Sequence, residues 1–307
     1  MDILGLGAES EKKNIIHYSF SISENIMNEN LDSLKELLSE FIILLIRFSK
    51  CKSEDIAVKA LDYLKKMIGR MIQDAGNKPL AALDTDNDTI LEKSNSEHEV
   101  SKEVPMSEGD DAPSSLSEGH WITLLTSLFT LCSDSKKKIR REGTTILFEI
   151  LKSYGKEFSQ DFWQVVLSGV IKPLFDEIQF YFQSKNEEEL LSYNDSCREI
   201  FSNMIDVYYI YYDKLGSFTE DFLKILMHCI DNPKGNLAKI SINALKQLIT
   251  QCHTKFSENE WSLMVNICSE IVENTTPYQL LEYQAGAGGK TSARGDRPVS
   301  SKVFWEK

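Results

Sequence analysis

Apolar residues recur at helical spacing in almost every part of this chain, and this pattern limits the fold more than any other feature. The segments with this spacing lie at residues 31–51, 55–73, 120–132, 136–153, 160–182, 186–213, 219–230, 236–252 and 258–273. Gly143 and Pro173 are expected to kink or interrupt their helices. The aromatic run at 207–212 resembles a strand, but its neighbours are helical. The sequence therefore predicts an all-α fold.

A short motif at the start of several helices is repeated. FSQDFW at 158–163 matches FSENEW at 256–261, and FTEDF at 218–222 is a shorter relative. Ser159, Ser257 and Thr219 are predicted N-caps whose hydroxyls accept from a free backbone N–H. The preceding phenylalanine and the residue at the fourth helical position, Trp163, Trp261 or Leu223, form a predicted hydrophobic staple, and Ser257 with Glu260 a capping box.

The helices that precede these motifs also align with one another. A shift of 98 residues superimposes the apolar pattern of 139–151 on that of 237–249, and a shift of 83 superimposes it on 56–68. The second position of the pattern is always small: Ala60, Gly143 or Ser241. A small residue lets a neighbouring helix approach closely, as in stacked helix pairs of roughly 40–47 residues. The pattern predicts a HEAT- or armadillo-like α-solenoid of antiparallel helix pairs.

The chain is expected to divide into five parts. They are an N-terminal segment at 1–30, partly ordered, a helix pair at 31–75, an acidic disordered linker at 76–118, helical repeats at 119–281, and a flexible tail at 282–307. Residues 84–118 contain eleven acids against two lysines, so they supply −9 of the net charge of −13. The pI therefore reflects the linker more than the folded surface.

Composition excludes several classes of function. The acidic balance argues against a nucleic-acid binder, which needs a basic face. The six cysteines are scattered without a CxxC pair, which predicts reduced thiols of a cytosolic protein. We see no signal peptide, and the most apolar run, at 41–46, is far shorter than the roughly 20 residues that a membrane span needs. No cofactor is predicted.

The one notable basic cluster consists of Lys136, Lys137, Lys138, Arg140 and Arg141. The ordinary interpretation is a solvated turn that enters a helix, with Arg140 packed between neighbouring repeats. The alternative is contact with a partner or an anionic Golgi lipid surface, where each nearby Lys or Arg adds about 1 kcal/mol before salt screening. Both interpretations stay open at this point.

Other motifs are weaker. GAGGKT at 286–291 resembles a phosphate-binding loop, but Gln284 stands where that motif requires glycine. The five histidines show no metal-ligand spacing, and RGD at 294–296 is attributed to chance. The tyrosines at 208, 209, 211 and 212 are expected to be mainly core, with an exposed part that could form a partner groove.

The segment 121–176 resembles the C-terminal helical region of the large brefeldin-A-inhibited exchange factors for Arf GTPases. The matching positions are Trp121, the Ile139–Arg140 pair, 148–151, 155–158, the Phe162–Trp163 pair, and 171–176. Residues 256–281, which contain Trp261 and TTPYQLL at 275–281, are similar to the next segment of that family, and 34–74 to the helix pair before. The linker is longer than is usual in the family, and nothing after Leu281 matches.

This resemblance implies a region without an active site. In the family, a separate domain with a catalytic glutamate expels magnesium and nucleotide from Arf, and no such motif occurs here. The downstream helical repeats are associated with Golgi recruitment, autoinhibition and binding of partners. The resemblance thus implies a non-enzymatic scaffold, cytoplasmic and peripheral on Golgi or trans-Golgi membranes, with Arf- or Rab-type GTPases or trafficking proteins as partners. The alternative is a generic HEAT or armadillo adaptor, such as a transport receptor or phosphatase scaffold.

Overall fold

The computed structural model of the chain describes residues 2–30, 37–74, 117–184, 187–231 and 236–276. Every regular element in these ranges is a helix, which confirms the all-α prediction. The predicted acidic linker falls almost entirely outside the described ranges, as do the tail, the GAGGKT segment and the RGD tripeptide.

The N-terminal elements are α1 (Asp2–Ala8), α2 (Lys13–Asn30), α3 (Leu38–Ser49) and α4 (Glu54–Asp74). The central elements are α5 (Glu118–Cys132), α6 (Lys137–Tyr154), α7 (Gln160–Val166), a π-helical turn (Leu167–Ile171), α8 (Lys172–Ser184) and α9 (Glu187–Ile210). The last are α10 (Tyr212–Leu215), a 3₁₀ turn (Gly216–Phe218), α11 (Thr219–Ile230), α12 (Leu237–Cys252) and α13 (Glu258–Thr275). Helices α1 and α2 are not among the helices predicted from the sequence.

The helices form two layers. We call α1, α3, α5, α7–α8, α11 and α13 the first layer, and α2, α4, α6, α9 and α12 the second layer. Hydrogen bonds and ion pairs join successive second-layer helices: Tyr63 to Glu24, Lys65 to Glu142, Lys152 to Asp206, and Gln247 to Ser202. Each second-layer helix also packs on a first-layer helix, so apolar side chains from both layers share one elongated core.

The second-layer helices run parallel to one another. Between α6 and α9, Lys137 contacts Asp195 and Lys152 contacts Asp206, so both partners advance along the chain together. Between α9 and α12, Ser202 contacts Gln247 and Asp206 contacts Gln251 in the same sense. A helix that returns to the start of the next parallel helix must be antiparallel to both. The predicted solenoid of antiparallel helix pairs is confirmed.

The aligned small residues are all buried, and Gly143 occupies the predicted close approach. Ala60, Gly143 and Ser241 are each fully buried in a second-layer helix. A Cβ atom at Gly143 would lie only 2.6 Å from the Leu131 Cβ and 3.1 Å from the Leu131 carbonyl carbon. Helix α6 continues through Gly143 without a break, so the predicted interruption there is wrong. The glycine is needed for contact with α5.

Two of the three predicted helix starts are confirmed. The Ser159 hydroxyl accepts from the Phe162 backbone N–H at 3.0 Å, and Ser257 and Glu260 form the predicted capping box. The staples are also present, because the Phe158 and Trp163 rings lie 5.3 Å apart and the Phe256 and Trp261 rings 5.6 Å apart.

The prediction that Thr219 is the N-cap of its helix is wrong. The 3₁₀ turn Gly216–Phe218 runs directly into α11, so Thr219 is already inside the helix. Its Oγ1 lies 2.6 Å from the Gly216 carbonyl oxygen, and its hydroxyl donates to Glu260 Oε1 at 2.7 Å. The contact between Thr219 and Glu260 thus links α11 to the first turn of α13.

Pro173 does not end its helix but shifts its hydrogen-bond register. Proline has no N–H, and its ring crowds the carbonyl four residues earlier. The Lys172 N–H binds the Leu167 carbonyl, five residues back, within the π-helical turn. The chain then continues as α8, so the expected interruption at Pro173 is a π bulge.

All six cysteines are free thiols, as predicted. Five are buried and Cys268 is partly exposed. Burial raises the pKa of Cys132 to about 12 and that of Cys229 and Cys252 to about 11. These thiols therefore stay protonated and act as small apolar core groups.

The close contact at Gly143 generates a prediction. We expect Gly143→Ala to lower the free energy of unfolding by about 1–3 kcal/mol, because the methyl group overlaps the α5 backbone. Gly169→Ala is the matched control, since a Cβ there meets nothing within 4 Å. It should be neutral or stabilising by up to about 1 kcal/mol. Urea unfolding followed by circular dichroism measures both, and equal effects would refute the close-approach role.

Candidate functional site

The predicted basic cluster lies at the turn between α5 and α6, and its first residue is used structurally. The Lys136 backbone N–H donates to the Asp134 carboxylate at 2.8 Å, which fixes the turn before α6. The Lys136 ammonium donates to the backbone carbonyl of Cys51, at the end of α3. Lys136 therefore joins the α5–α6 turn to the α3–α4 turn.

Arg140 is fully buried, with no exposed surface. Its Nε donates to the Ser196 hydroxyl at 2.9 Å and its Nη1 to the Asp134 carbonyl at 2.8 Å. Its guanidinium carbon lies 4.6 Å from the centre of the Tyr193 ring, a cation–π contact. Arg140 thus packs between α6 and α9, as the ordinary interpretation expected. The inclusion of Arg140 among the surface contact residues is wrong, because burial removes it from the surface.

Lys137 is exposed but has an acidic neighbour. Its ammonium lies 3.1 Å from the Asp195 carboxylate on α9, and Arg198 lies 2.8 Å from the other oxygen of the same carboxylate. The hydrogen bond and positive charge of Lys137 lower the pKa of Asp195, and Arg198 lowers it further. Asp195 therefore offsets part of the cluster's positive charge.

Lys138 and Arg141 complete the cluster and are both exposed. The five residues consequently do not act as one patch. Lys137, Lys138 and Arg141 reach the surface, Lys136 spans two turns, and Arg140 belongs to the core. This division follows from helical geometry, since residues 136 and 140 lie on the face of α6 that packs against other elements.

Further basic residues, which were not part of the predicted cluster, lie beside it in the structure. Because Lys136 binds the Cys51 carbonyl, the α3–α4 turn with Lys50 and Lys52 lies beside the cluster. A cleft of about 520 Å³ opens there between the α1–α2 turn, α3 and α5, with Arg47, Lys50, Lys52, Ser127 and Thr130 in its lining. Arg47 lies 3.9 Å from Glu9, and Lys52 pairs with Glu11. We call Arg47, Lys50, Lys52, Lys137, Lys138 and Arg141 the basic edge.

The basic edge has a simple topological cause. The second-layer helices are parallel, so the turns that lead into α4 and α6 lie at the same edge of the solenoid. Two short basic runs that are 85 residues apart in the sequence therefore come together. The signal in the sequence was KCK at 50–52, directly before a helix start, and it could be paired with KKK at 136–138 only once the helix order in space was known.

The tyrosine run divides between core and surface, as predicted. Tyr208 and Tyr211 are buried, whereas Tyr209 is 43 % exposed. The Lys255 ammonium lies 4.3 Å from the Tyr209 ring centre and donates to the Tyr209 carbonyl at 2.7 Å. The exposed tyrosine is thus held at the α12–α13 turn by a cation–π contact.

The Tyr212 hydroxyl and three other groups converge on Glu260. The Glu260 carboxylate accepts from Tyr212, from the Thr219 hydroxyl, and from the backbone and side chain of Ser257. Burial acts to raise the pKa of Glu260, but these hydrogen bonds outweigh it and the pKa is lowered. This node ties α10, α11 and α13 together and has no feature of a catalytic acid.

Within the described ranges, His, Cys, Asp and Glu side chains form no group that could hold a metal ion. None of the helices in the described ranges has the length and hydropathy of a membrane span.

The adjacent residues Arg140 and Arg141 provide a matched test of the division between core and surface. Arg140→Ala should lower the free energy of unfolding by about 3 kcal/mol, because it removes charged hydrogen bonds and leaves buried acceptors unpaired. Arg141→Ala should change it by less than about 0.5 kcal/mol, since its side chain is exposed. Chemical denaturation measures both, and a similar loss for the two variants would contradict the assignment.

Comparison with known proteins gives a consistent result. The chain is 23 % identical over 301 residues to the brefeldin A-inhibited guanine nucleotide-exchange protein 2 of Arabidopsis thaliana, covering 88 % of this chain and 16 % of that protein. It is 26 % identical over 285 residues to the brefeldin A-inhibited guanine nucleotide-exchange protein 1 of the same plant, covering 83 % of this chain and 16 % of that protein. The ADP-ribosylation factor guanine nucleotide-exchange factor of Saccharomyces cerevisiae is 24 % identical over 168 residues, covering 53 % of this chain and 8 % of that protein.

No family model and no solved structure matches the chain. The chain spans about one sixth of the length of the two plant relatives. The resemblance seen in the sequence is nevertheless confirmed: over most of its length, this chain is similar to a region of the large brefeldin A-inhibited guanine nucleotide-exchange proteins.

Proposed function

We propose that this chain is a non-catalytic regulatory or scaffold region of a large Arf guanine-nucleotide exchange factor that acts in Golgi vesicle trafficking. One observation carries the proposal: similarity covers 83–88 % of the chain but only 16 % of each plant exchange protein. A chain that aligns with about one sixth of such a protein corresponds to only one part of it. The catalytic domain would then lie in another part of the protein. The HEAT-type assignment of the helix pairs belongs to the same proposal.

The solenoid suits a scaffold role for a physical reason. Its side chains fill one continuous core, and recognition is left to the outer surface and edges. Extended helical arrays bind partners along such surfaces without a deep polar pocket. We therefore assign partner binding, with Arf- or Rab-type GTPases or other trafficking proteins as the partners, to the exposed surface of the two layers.

A second part of the proposal concerns the membrane. The basic edge gathers lysines and arginines from two turns, and such clusters attract anionic lipid headgroups. Contact there would hold the solenoid at the cytoplasmic side of Golgi or trans-Golgi membranes as a peripheral protein. The surface that carries this function is wider than the cluster predicted from the sequence, and it excludes Arg140.

The partner prediction is tested with purified proteins. Immobilised chain should retain an Arf- or Rab-type GTPase loaded with a non-hydrolysable GTP analogue, and retain the same GTPase less when it carries GDP. The chain alone should leave the rate of nucleotide release from Arf unchanged, as a non-catalytic region would. Accelerated release would contradict the non-catalytic assignment. Failure to retain any tested GTPase, with either the GTP analogue or GDP bound, would contradict the proposal that GTPases are partners.

The lipid prediction is tested by charge reversal. Lys138→Glu combined with Arg141→Glu should abolish sedimentation of the chain with vesicles that contain anionic phospholipid, because two attractive charges become repulsive. Lys239→Glu combined with Lys246→Glu is the matched control, since both residues are exposed on α12, away from the basic edge. The control variant should still bind. Equal binding by both variants would rule out the basic edge as the contact surface.

A further inference from the structure

The cleft between the α1–α2 turn, α3 and α5 combines an apolar wall with a basic rim. Its apolar wall consists of Ala8, Ile43 and Ile46, and its basic rim of Arg47, Lys50 and Lys52. Its volume of about 520 Å³ is within the range of roughly 300–1,000 Å³ that small-molecule sites occupy. A small ligand with one apolar part and one anionic part would match this surface.

Arg47 is held at the cleft by its contact with α1. A Cβ atom at Gly5 would lie 2.3 Å from the Arg47 Nη1, so the guanidinium rests directly on the α1 backbone. The acid beside it is Glu9, whose Oε1 lies 3.9 Å from the Arg47 Nε, beyond the length of a direct hydrogen bond. Within the described ranges this loose ion pair is the guanidinium's only polar contact, so its N–H donors remain available to a ligand.

Two lysines and a serine add further donors to the cleft. Lys50 is exposed, and its ammonium has no acidic partner in the described part of the chain. Lys52 pairs with Glu11, but the two side chains are 65 % and 78 % exposed, so this pair contributes little free energy. Ser127 adds a hydroxyl from the α5 side. Three cations thus face two carboxylates, and the cleft is positive overall.

The carbonyl groups at the end of α3 are paired and do not oppose an anion here. A helix C-terminus carries partial negative charge on its free carbonyls. The Lys50 backbone N–H donates to the Arg47 carbonyl, and the Cys51 N–H donates to the Phe48 carbonyl. The Lys136 ammonium in turn binds the Cys51 carbonyl. The side-chain cations therefore dominate the electrostatic potential of the cleft.

A lipid phosphate matches this arrangement better than other anions do. Ile43 and Arg47 lie one turn apart on α3, so an apolar wall stands beside a guanidinium. In phosphatidic acid a phosphomonoester is attached directly to glycerol and its acyl chains, which places apolar atoms beside the phosphate. A phosphomonoester carries about −1.5 to −2 charges at pH 7 and binds guanidinium through paired hydrogen bonds. A sugar or inositol ring would place hydroxyl groups against the apolar wall, where they lose hydrogen bonds to water.

We propose that this cleft binds phosphatidic acid, with the phosphate on Arg47 and Lys50 and the glycerol and first acyl carbons against Ile43. The phosphate takes the place of the Glu9 carboxylate beside Arg47. The proposal rests on the proposed contact between the basic edge and the membrane, and deepens it by naming the lipid class that one part of this edge selects. Lys137, Lys138 and Arg141, outside the cleft, would attract any anionic lipid.

Vesicle binding tests the selectivity. Phosphatidylcholine vesicles are brought to the same surface potential with either phosphatidic acid or phosphatidylserine, which separates phosphate recognition from general charge attraction. The chain should bind the phosphatidic acid vesicles at least about tenfold more tightly, because hydrogen bonds to charged groups are worth about that factor. Arg47→Gln with Lys50→Gln should remove this preference. Lys239→Gln with Lys246→Gln, which removes equal charge from exposed positions on α12, should keep it. Equal binding of both vesicle types by the wild-type chain would overturn the proposal.

Two further variants test the competing carboxylate and the apolar wall. Glu9→Gln should tighten binding to phosphatidic acid about threefold, because the phosphate no longer displaces a carboxylate from Arg47, whereas Glu273→Gln on α13 should have no effect. Ile43→Asn should weaken binding of the lipid and leave binding of glycerol 3-phosphate unchanged, since only the lipid contacts this side chain. Weaker binding by Glu9→Gln, or an unchanged lipid affinity of Ile43→Asn, would contradict the proposed arrangement.

A soluble ligand separates the cleft from the membrane contact. Dioctanoyl phosphatidic acid below its micelle concentration should bind the chain in titration calorimetry. Arg47→Gln with Lys50→Gln should abolish this binding, while circular dichroism shows unchanged helix content and Tm. A phosphoserine peptide or glycerol 3-phosphate that binds as tightly would overturn the lipid assignment.

The two proposals fail in different ways. If the soluble lipid does not bind but vesicles of both types still do, the cleft proposal is wrong and the membrane contact of the basic edge stands. If the soluble lipid binds and no vesicle does, the cleft proposal is supported and the membrane contact is wrong.

Discussion

The structure depends on a shared core that no single helix pair can form. Each second-layer helix buries one face on its first-layer partner and another on the preceding second-layer helix. Gly143 sets the closeness of α6 and α5, because a Cβ atom there would lie 2.6 Å from the Leu131 Cβ, and the small residues Ala60 and Ser241 are buried at the aligned positions of α4 and α12. A larger side chain at Gly143 would separate the layers and expose the apolar residues on both sides. The solenoid's stability is therefore a property of neighbouring pairs taken together.

Side-chain polar contacts along the second layer complement this core. Lys65–Glu142, Lys152–Asp206 and Gln247–Ser202 link successive helices at their partly exposed margins. Ion pairs of this kind add little free energy individually. Their role is to fix register, since each joins one position on a helix to one position on its neighbour. The apolar core provides the stability. The polar contacts favour the parallel arrangement and fix how far each second-layer helix is shifted along its axis relative to the next.

Burial divides residues that look alike in the sequence. Arg140 and Arg141 are neighbours of the same type, yet one is a core residue bonded to Ser196 and the other is exposed. The same turn brings Lys136 to the α3–α4 turn, so that two short basic runs become one edge. A surface able to attract anionic partners thus arises from the order of the helices in space.

The sequence alone determined the helices from α3 onward except the short α10, the buried small residues and two of the helix starts, because periodicity, side-chain size and capping are local properties. It missed α1 and α2, whose apolar residues are interrupted by polar ones, since their helical state depends on packing against α3 and α4. Thr219 is not a cap, because the 3₁₀ turn before it runs directly into α11. Only the tertiary structure decided that Arg140 is buried, that Lys50 and Lys138 share an edge, and that a cleft opens between the α1–α2 turn, α3 and α5. These features join residues far apart in the chain, and their positions follow from how the layers stack.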